Sequence, residues 1–439
     1  MRQLILISDV SRQFAQLTAR RVRERDVFCE VVEPGTLAGS IKEKKPVGII
    51  LTGDESDAKL ITDEIKSSLR DANVPVLAIG AAAKALNDAD FPMMMMSCSP
   101  TLAGEEAKAE VAGFLFDSCK CAGDWTASAF AKESIDKLKE ELKGKKVICA
   151  FSGGVDSTVA AVMVHKAIKD DLICVFVDTG MMRKNEGDQI VETMKSEFDI
   201  HLIRVDAEER FLGRLKGVTD PEMKRKIIGE EFIEVFTEEA KKHGDIDFLL
   251  QGTIYPDVLE SGLDGAKSIK SHHNVGGLPE RMSFSLIEPL RLLFKDEVRR
   301  VGTALGIPDA IVNRQPFPGP GLSVRCLGEV TKQRLDLLRE CDAILREEVG
   351  ASSLAKEIWQ YFTVLPNLQS VGVLDGARTY CETIAIRAVH SIDAMTAQYV
   401  KIPYDILDRI TERITNEVPQ VNRVVLDITG KPPSTIEWE

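Results

Sequence analysis

The sequence predicts an α/β protein: two successive doubly wound parallel-sheet domains followed by a smaller α+β domain. Two patterns predict it. Short runs rich in Val, Ile and Leu alternate with helical stretches in two separate blocks, which implies parallel sheets with crossover helices. After a proline-glycine cluster at 316–321 that alternation gives way to a mixture of long helices and strands. At 439 residues the chain is too long for one core and divides on this pattern into 1–125, 126–320 and 321–439.

In the first block, 4–7, 28–32, 48–52 and 74–79 read as buried strands, with helical composition at 12–24, 58–70 and 80–87 between them. A helix over 101–119 closes the block, and Gly123-Asp124-Trp125-Thr126 supplies an N-cap and a boundary. The run Met93–Met96 reads as soft core filling or a loop cap, without functional weight. In the second block the strands are 146–151, 172–177, 200–205 and 248–251, with helices at 157–169, 188–197 and 221–243. The last block has helices near 331–349 and 404–417 and strands near 360–364, 383–389 and 423–428. There is no internal repeat.

Composition narrows the function. Fifty-six Lys and Arg against 69 Asp and Glu give a net charge of −13, with 44% apolar and 28% charged residues. That balance is ordinary for a soluble globular protein and argues against a duplex nucleic-acid binder. No apolar run approaches the roughly 20 residues that cross a bilayer, and the opening Met1-Arg2-Gln3-Leu4-Ile5 runs straight into strand-like sequence. Nine scattered cysteines without a CxxC pair indicate neither a disulfide framework nor a structural zinc site. The expectation is a cytoplasmic enzyme with no membrane partner.

The sharpest motif is Phe151-Ser152-Gly153-Gly154-Val155-Asp156-Ser157-Thr158. It follows a strand and opens a helix, where glycines let backbone N–H groups approach phosphate oxygens and the helix end adds unpaired donors. Ser152, Ser157 and Thr158 add hydroxyls. A Walker A pattern is absent. Asp178, in Asp178-Thr179-Gly180 at the next strand end, stands where open α/β sheets place ligands.

These residues resemble the ATP-pyrophosphatase family of adenylating enzymes. The resemblance implies ATP bound at Ser152, Gly153, Gly154, Val155, Asp156, Ser157, Thr158 and Asp178, attack of a substrate oxygen on its α-phosphate, and release of pyrophosphate. Further motifs follow in order: Gln251-Gly252-Thr253-Ile254-Tyr255-Pro256-Asp257, Ile269-Lys270-Ser271-His272-His273-Asn274, Phe294-Lys295-Asp296-Glu297-Val298-Arg299, Pro316-Phe317-Pro318-Gly319-Pro320-Gly321 and the ending Lys431-Pro432-Pro433-Ser434-Thr435-Ile436-Glu437-Trp438-Glu439. Together they are similar to the GMP synthase family from about residue 145 to the last. That likeness implies xanthosine 5′-monophosphate (XMP) as substrate, adenylated at its 2-carbonyl oxygen and then aminated by ammonia, with Mg²⁺ accompanying ATP. Gly252 joins the ATP site. Lys270 and Lys295 are the candidate catalytic cations and Asp156 the candidate Mg²⁺ ligand, since a leaving pyrophosphate needs positive charge placed beforehand. His272 and His273, beside Gly276-Gly277, resemble part of a lid. Pro318, Gly319, Gly321, Gln360, Arg378, Lys431, Ile436 and Glu437 match the family's XMP contacts. The run at 220–226 (DPEMKRK) reads as a solvated helix face or a weaker positioning element of the lid region. Arg387 fits a sheet that pairs two chains into a homodimer.

The first block resembles a class I glutamine amidotransferase domain only in part. Gln16–Glu24, Phe28–Val32 and the stretch from Phe114 to Thr126 match its opening and closing. Where that family has Cys after PVLGI, this chain has Pro75-Val76-Leu77-Ala78-Ile79-Gly80, so Gly80 takes the nucleophile's position and cannot form a thioester. Thr52-Gly53-Asp54-Glu55 replaces the oxyanion turn, Cys98-Ser99-Pro100 stands where His-Pro-Glu belongs, and no histidine precedes His165. The expectation is a shortened domain without glutaminase chemistry, and a synthase fed by free ammonia or by a separate glutaminase. The alternatives are an XMP- and ATP-binding regulator without turnover, or another ATP-pyrophosphatase enzyme such as a NAD synthetase or an RNA-thiolating enzyme.

Overall fold

The fold is that of a computed structural model, which describes residues 3–9, 14–53, 61–80, 82–83, 86, 93–96, 105–261, 284–374, 376–391 and 394–439. The chain forms two compact units. The first comprises Met1–Leu138, Gly252–Lys270 and Pro289–Gly306; the second comprises Lys139–Gln251, Ser271–Glu288 and Ile307–Glu439.

The first unit holds a parallel sheet of β1 (Ile5–Asp9), β2 (Cys29–Val32), β3 (Gly48–Gly53), β4 (Val76–Gly80) and β5 (Met93–Met96), in the order β2-β1-β3-β4-β5. Ile5 stands opposite Cys29 on one side and Gly48 on the other. Every residue of β1 and β3 is buried, as expected when helices cover both faces of a parallel sheet. Helix Asp63–Ala72 begins where the Thr62 hydroxyl accepts from the Ile65 N–H, and carries Asp63 and Glu64 in its first turn. Segments from the middle of the chain complete this core: Tyr255 and Phe294 pack with Ile5, Ile7, Cys29 and Phe114. Their rings meet edge to face at 5.3 Å.

The second unit holds two sheets. Strands β6 (Val147–Ala150), β7 (Leu172–Asp178), β8 (Leu202–Asp206), β9 (Phe248–Leu250) and β10 (Ser285–Ile287) are all parallel, in the order β10-β9-β6-β7-β8. The chain leaves β6 toward β7 and later returns to β9 on its other side. The carboxyl end of β6 is therefore the point where the winding reverses, the usual crevice for a ligand. The other sheet contains β11 (Gln360–Val364), β12 (Gln369–Leu374), β13 (Ala377–His390), β14 (Gln398–Tyr399) and β15 (Val421–Asp427). It is mixed: β13 is antiparallel to β11, β12 and β14 but parallel to β15. One apolar cluster serves both sheets, joining Ile148, Val175 and Leu249 to Leu335, Leu338, Ile344, Ile384, Ile386 and Ile410.

Two parallel α/β sheets followed by a mixed α+β region match the expected fold class. Some elements differ. Met93–Met96 is not a loop cap but a fifth strand beside β4. The strand expected at 383–389 extends over Ala377–His390, and β12 pairs with its first half. No described helix is long and apolar enough to cross a membrane.

Candidate functional site

The glycine-rich loop lies between β6 and helix Val155–Ile168, whose residues from Thr158 to Val164 are all buried. The loop is held by its own hydroxyls. Ser157 Oγ and Thr158 Oγ1 each donate to the Gly154 carbonyl at 2.9 Å, and Ser152 Oγ accepts from the Gly154 N–H at 3.3 Å. Gly153 has φ +74°, a conformation that a side chain would strain. Two glycines, three hydroxyls and the first turn of a long helix thus converge at the carboxyl edge of the sheet, an arrangement suited to phosphate oxygens. Asp156 lies in that first turn. Among the described residues no group of three His, Cys, Asp or Glu side chains could hold a metal ion. A single carboxylate does fit magnesium carried on phosphates, because that ion keeps most of its ligands as water and phosphate oxygens.

At the end of the neighbouring strand, Asp178 Oδ1 accepts from the Gly180 N–H at 3.0 Å while its other oxygen takes Arg204. The proline-glycine loop packs here. Leu322 N–H donates to the Met181 carbonyl at 2.8 Å, and Gly321, at φ +65°, leaves no room for a side chain because its Cβ would lie 2.4 Å from that same oxygen. Gly321 therefore stands against the turn that follows Asp178, while the Pro318 carbonyl accepts the Gly321 N–H at 2.9 Å and Gly319 is exposed.

The terminal segment arrives on the other flank of this loop. Gln360, almost wholly buried at the start of β11, donates through Nε2 to both the Pro316 carbonyl and Glu437 Oε1 at 3.1 Å. Arg325, with no exposed surface, grips the same Glu437 at 2.8 and 3.0 Å and lies over the rings of Phe317 and Phe362. Ile436 is buried with Phe362, Val364 and Val389. Lys431 donates to the Ala394 carbonyl at 2.9 Å, and its backbone pairs with Ala397. The terminal segment is fixed from below by Arg387, fully buried on β13, which donates to the Thr435 carbonyl and pairs with Asp427 at 3.1 Å. Arg387 is thus an internal clamp of the sheet rather than a surface group.

Of the residues that the sequence groups here, Gln360 and Glu437 bond to each other, and Gln360 also reaches Pro316 at the start of the proline-glycine cluster. Arg378 does not join them. It is exposed near the far end of β13, opposite Val373, roughly 35 Å along the strand from Val389, the residue paired with Gln360. Gly252 and Lys295 belong to the first unit, where Lys295 opens helix Lys295–Ala304. Lys270, His272 and His273 lie outside the described residues, as do Asp54, Glu55 and Cys98. Gly80 ends β4 at φ +65° and is followed by helical Ala82 and Ala83.

The run at 220–226 is not simply a solvated face. Asp220 caps helix Pro221–Ala240, but Lys224 is fully buried and donates to the Cys326 carbonyl at 2.9 Å and to Glu439. Arg183, Glu186, Arg314 and Arg325 were also missed. The last two flank the proline-glycine loop in sequence, and charged residues bracketing a rigid apolar motif were the available signal. A cavity of about 580 Å³ lies elsewhere, lined by Asp206, Glu208, Glu238 and Glu239 among others; its acidic wall opposes a phosphate, and it contains none of these residues.

Comparison with known proteins shows the family. Residues 347–438 match the GMP synthase C terminal domain, and residues 129–222 match the NAD synthase family. Relatives named GMP synthase [glutamine-hydrolyzing] are similar along their entire lengths: 49% identity for the protein of Clostridium botulinum strain Hall, and 48% for those of Clostridium acetobutylicum and Clostridium tetani, with all of each chain covered. The alignment with the first spans 508 positions against 439 residues here, so at least 69 positions (508 − 439) have no counterpart in this chain. With relatives at this identity over the whole of both chains, the chain belongs to the GMP synthase family.

Proposed function

We propose that the chain is a ligase that converts XMP to GMP at the expense of ATP, using ammonia rather than glutamine. The 2-carbonyl oxygen of XMP attacks the α-phosphorus of MgATP, pyrophosphate leaves, and ammonia then displaces AMP from C2. The observation that carries this reading is the meeting of Gln360 and Glu437 at the Pro316 carbonyl, beside a turn that continues from Asp178, in a chain whose full-length relatives are named GMP synthase. In this scheme the loop at Ser152–Thr158 binds the phosphates and Asp156 contributes to holding Mg²⁺. Lys270 and Lys295 neutralise the leaving pyrophosphate, and His272 and His273 belong to a lid that keeps water from the adenylated intermediate. Pro318, Gly319, Gly321, Gln360, Lys431, Ile436 and Glu437 hold XMP.

Three features support ammonia as nitrogen donor. Gly80 sits at a left-handed strand-to-helix turn, the backbone of a nucleophile elbow without the nucleophile. Cys29, a buried thiol of this unit's core, is pushed up to about 11 by burial, against the opposing pull of Arg23, and stays protonated at neutral pH. No histidine precedes His165 to act as base. In this proposal residues 1–125 are a structural remnant, 126–320 the adenylating domain, and 321–439 the XMP-binding and dimerisation domain. The homodimer forms through the outer face of the mixed sheet, where Val371, Val373 and Tyr380 are exposed beside Arg378.

The test is to incubate the protein with XMP, MgATP and either ammonium or glutamine, and to measure GMP, AMP and pyrophosphate. GMP with ammonium alone is the expected result. Equal yield from glutamine refutes the remnant, and no product while XMP still binds favours a regulatory protein.

A further inference from the structure

The phosphate loop and the terminal segment share no residue, yet a continuous series of buried and partly buried groups in the second unit links them. Arg314 Nη1 donates to the Gly153 carbonyl at 2.8 Å, and its Nη2 pairs with Glu186. Glu186 in turn accepts from the Arg183 N–H at 3.1 Å and from Arg183 Nη1 at 3.2 Å. The Arg183 guanidinium lies 4.3 Å from the centre of the Phe317 ring and 3.7 Å from Asp342. Arg325 lies 5.3 Å from the same ring centre and holds Glu437. Phe317 thus has two guanidinium groups against it, one tied to the loop and the other to the terminal segment.

The first link has a direct consequence for the loop. A trans peptide is planar, so its C=O and the following N–H point in opposite directions. By holding the Gly153 oxygen, Arg314 sets the direction of the Gly154 N–H, which faces Ser152 Oγ on the other side of the loop. Stability alone gives little reason for such a network. Buried ion pairs roughly break even against apolar replacements, and three guanidinium groups here must be matched by Glu186, Asp342 and Glu437. Their arrangement instead fixes two loops to one aromatic ring.

We propose that Arg314 and Glu186 are positioning residues that couple the two nucleotide sites, so that ordering the phosphate loop aligns the 316–321 loop and Glu437, and the converse. The proposal rests on the XMP-aminating function above. It makes Phe317 the shared element: ATP and XMP each bind more tightly when the other is present, by a factor that depends on this series.

The experiment measures XMP affinity of the full chain by titration calorimetry, with and without a non-hydrolysable ATP analogue and Mg²⁺, for wild type, Arg314→Lys and Phe317→Leu. Wild type is expected to bind XMP roughly fivefold or more tightly with the analogue present, a usual size for coupling between sites. In Arg314→Lys the ratio falls toward one while XMP affinity without the analogue is kept, since lysine cannot hold Gly153 and Glu186 together. Phe317→Leu touches no charge and carries the test if the arginine variant does not fold; it also loses the ratio. Variants that fold and retain the wild-type ratio overturn the coupling while leaving the proposed reaction intact. A wild-type chain that binds neither nucleotide overturns both.

Discussion

Arg23 and Glu297 lie 274 positions apart in sequence and meet at 3.2 Å with side chains 2% and 5% exposed. The pair is not isolated. Arg23 also donates to the Cys29 carbonyl at 2.7 Å and stacks against Phe28 and Trp125, while Glu297 takes the Trp125 indole N–H and the Phe294 N–H. Glu297 therefore caps the helix that Lys295 opens, and Arg23 fixes that cap to the N-terminal sheet. The N-terminal block carries a structural task in this way. Removing one partner strands a buried charge, so Arg23→Met is expected to destabilise the first unit by about 3 to 5 kcal/mol. Denaturant unfolding checks this, and Glu297→Gln in the same background should restore much of the loss.

Gly80 tests the proposal that ammonia is the nitrogen donor. Gly80→Cys would place a thiol at a left-handed strand end, but without a histidine base no thiolate is generated efficiently. The variant should show no glutamine-dependent GMP formation above wild type. Cys29 should resist alkylation in the native chain at pH 8, because burial holds it protonated until about pH 11, and should react on unfolding. Rapid native labelling of Cys29 would contradict this.

How much of this was legible beforehand depends on the range of the determining contacts. The glycine-rich turn at 152–158 could be placed between a strand and a helix because these elements are neighbours in sequence. The strand Gln360–Val364 was legible at both ends for the same reason. Lys224, Arg183 and Arg325 were not, since a lysine or arginine in a helical run is ordinarily solvated and only distant partners allow its burial. For Lys224 those partners are the Cys326 carbonyl and Glu439, more than a hundred positions away. The strand Met93–Met96 was missed because methionine has little β preference; its place is set by pairing with β4. Arg378 matched a motif, yet within one chain its strand carries it away from Gln360.

Glu437 is the pivot of the proposed XMP site. Glu437→Ala leaves Arg325 buried without its carboxylate and Gln360 without one acceptor. The expected outcome is an XMP KM raised roughly tenfold or more, with the ATP KM changed far less, because one charge-assisted pair is worth about 1.5 to 3 kcal/mol. Glu437→Gln keeps the shape and should fall between the two. Steady-state kinetics with each substrate varied in turn decides it; an equal rise in both constants would mean general damage.

Acid should loosen the network that joins Gly153 to Phe317. Burial opposes the charge on Glu186, but Arg183 and Arg314 outweigh it and hold the carboxyl below its ordinary value of 4.5. Arg183 is itself pushed down to about 10 by burial, against Asp342 and Glu186, so both partners are charged at neutral pH. A depressed carboxyl contributes stability above its unfolded value, and that contribution disappears as pH falls through the folded one. The stability difference between wild type and Glu186→Gln should therefore be constant from pH 7 to about 5 and shrink below about 4.5, where the unfolded carboxyl first takes up its proton. Urea unfolding at a series of pH values measures it, and a difference that grew on acidification would reverse the sign assigned to this group.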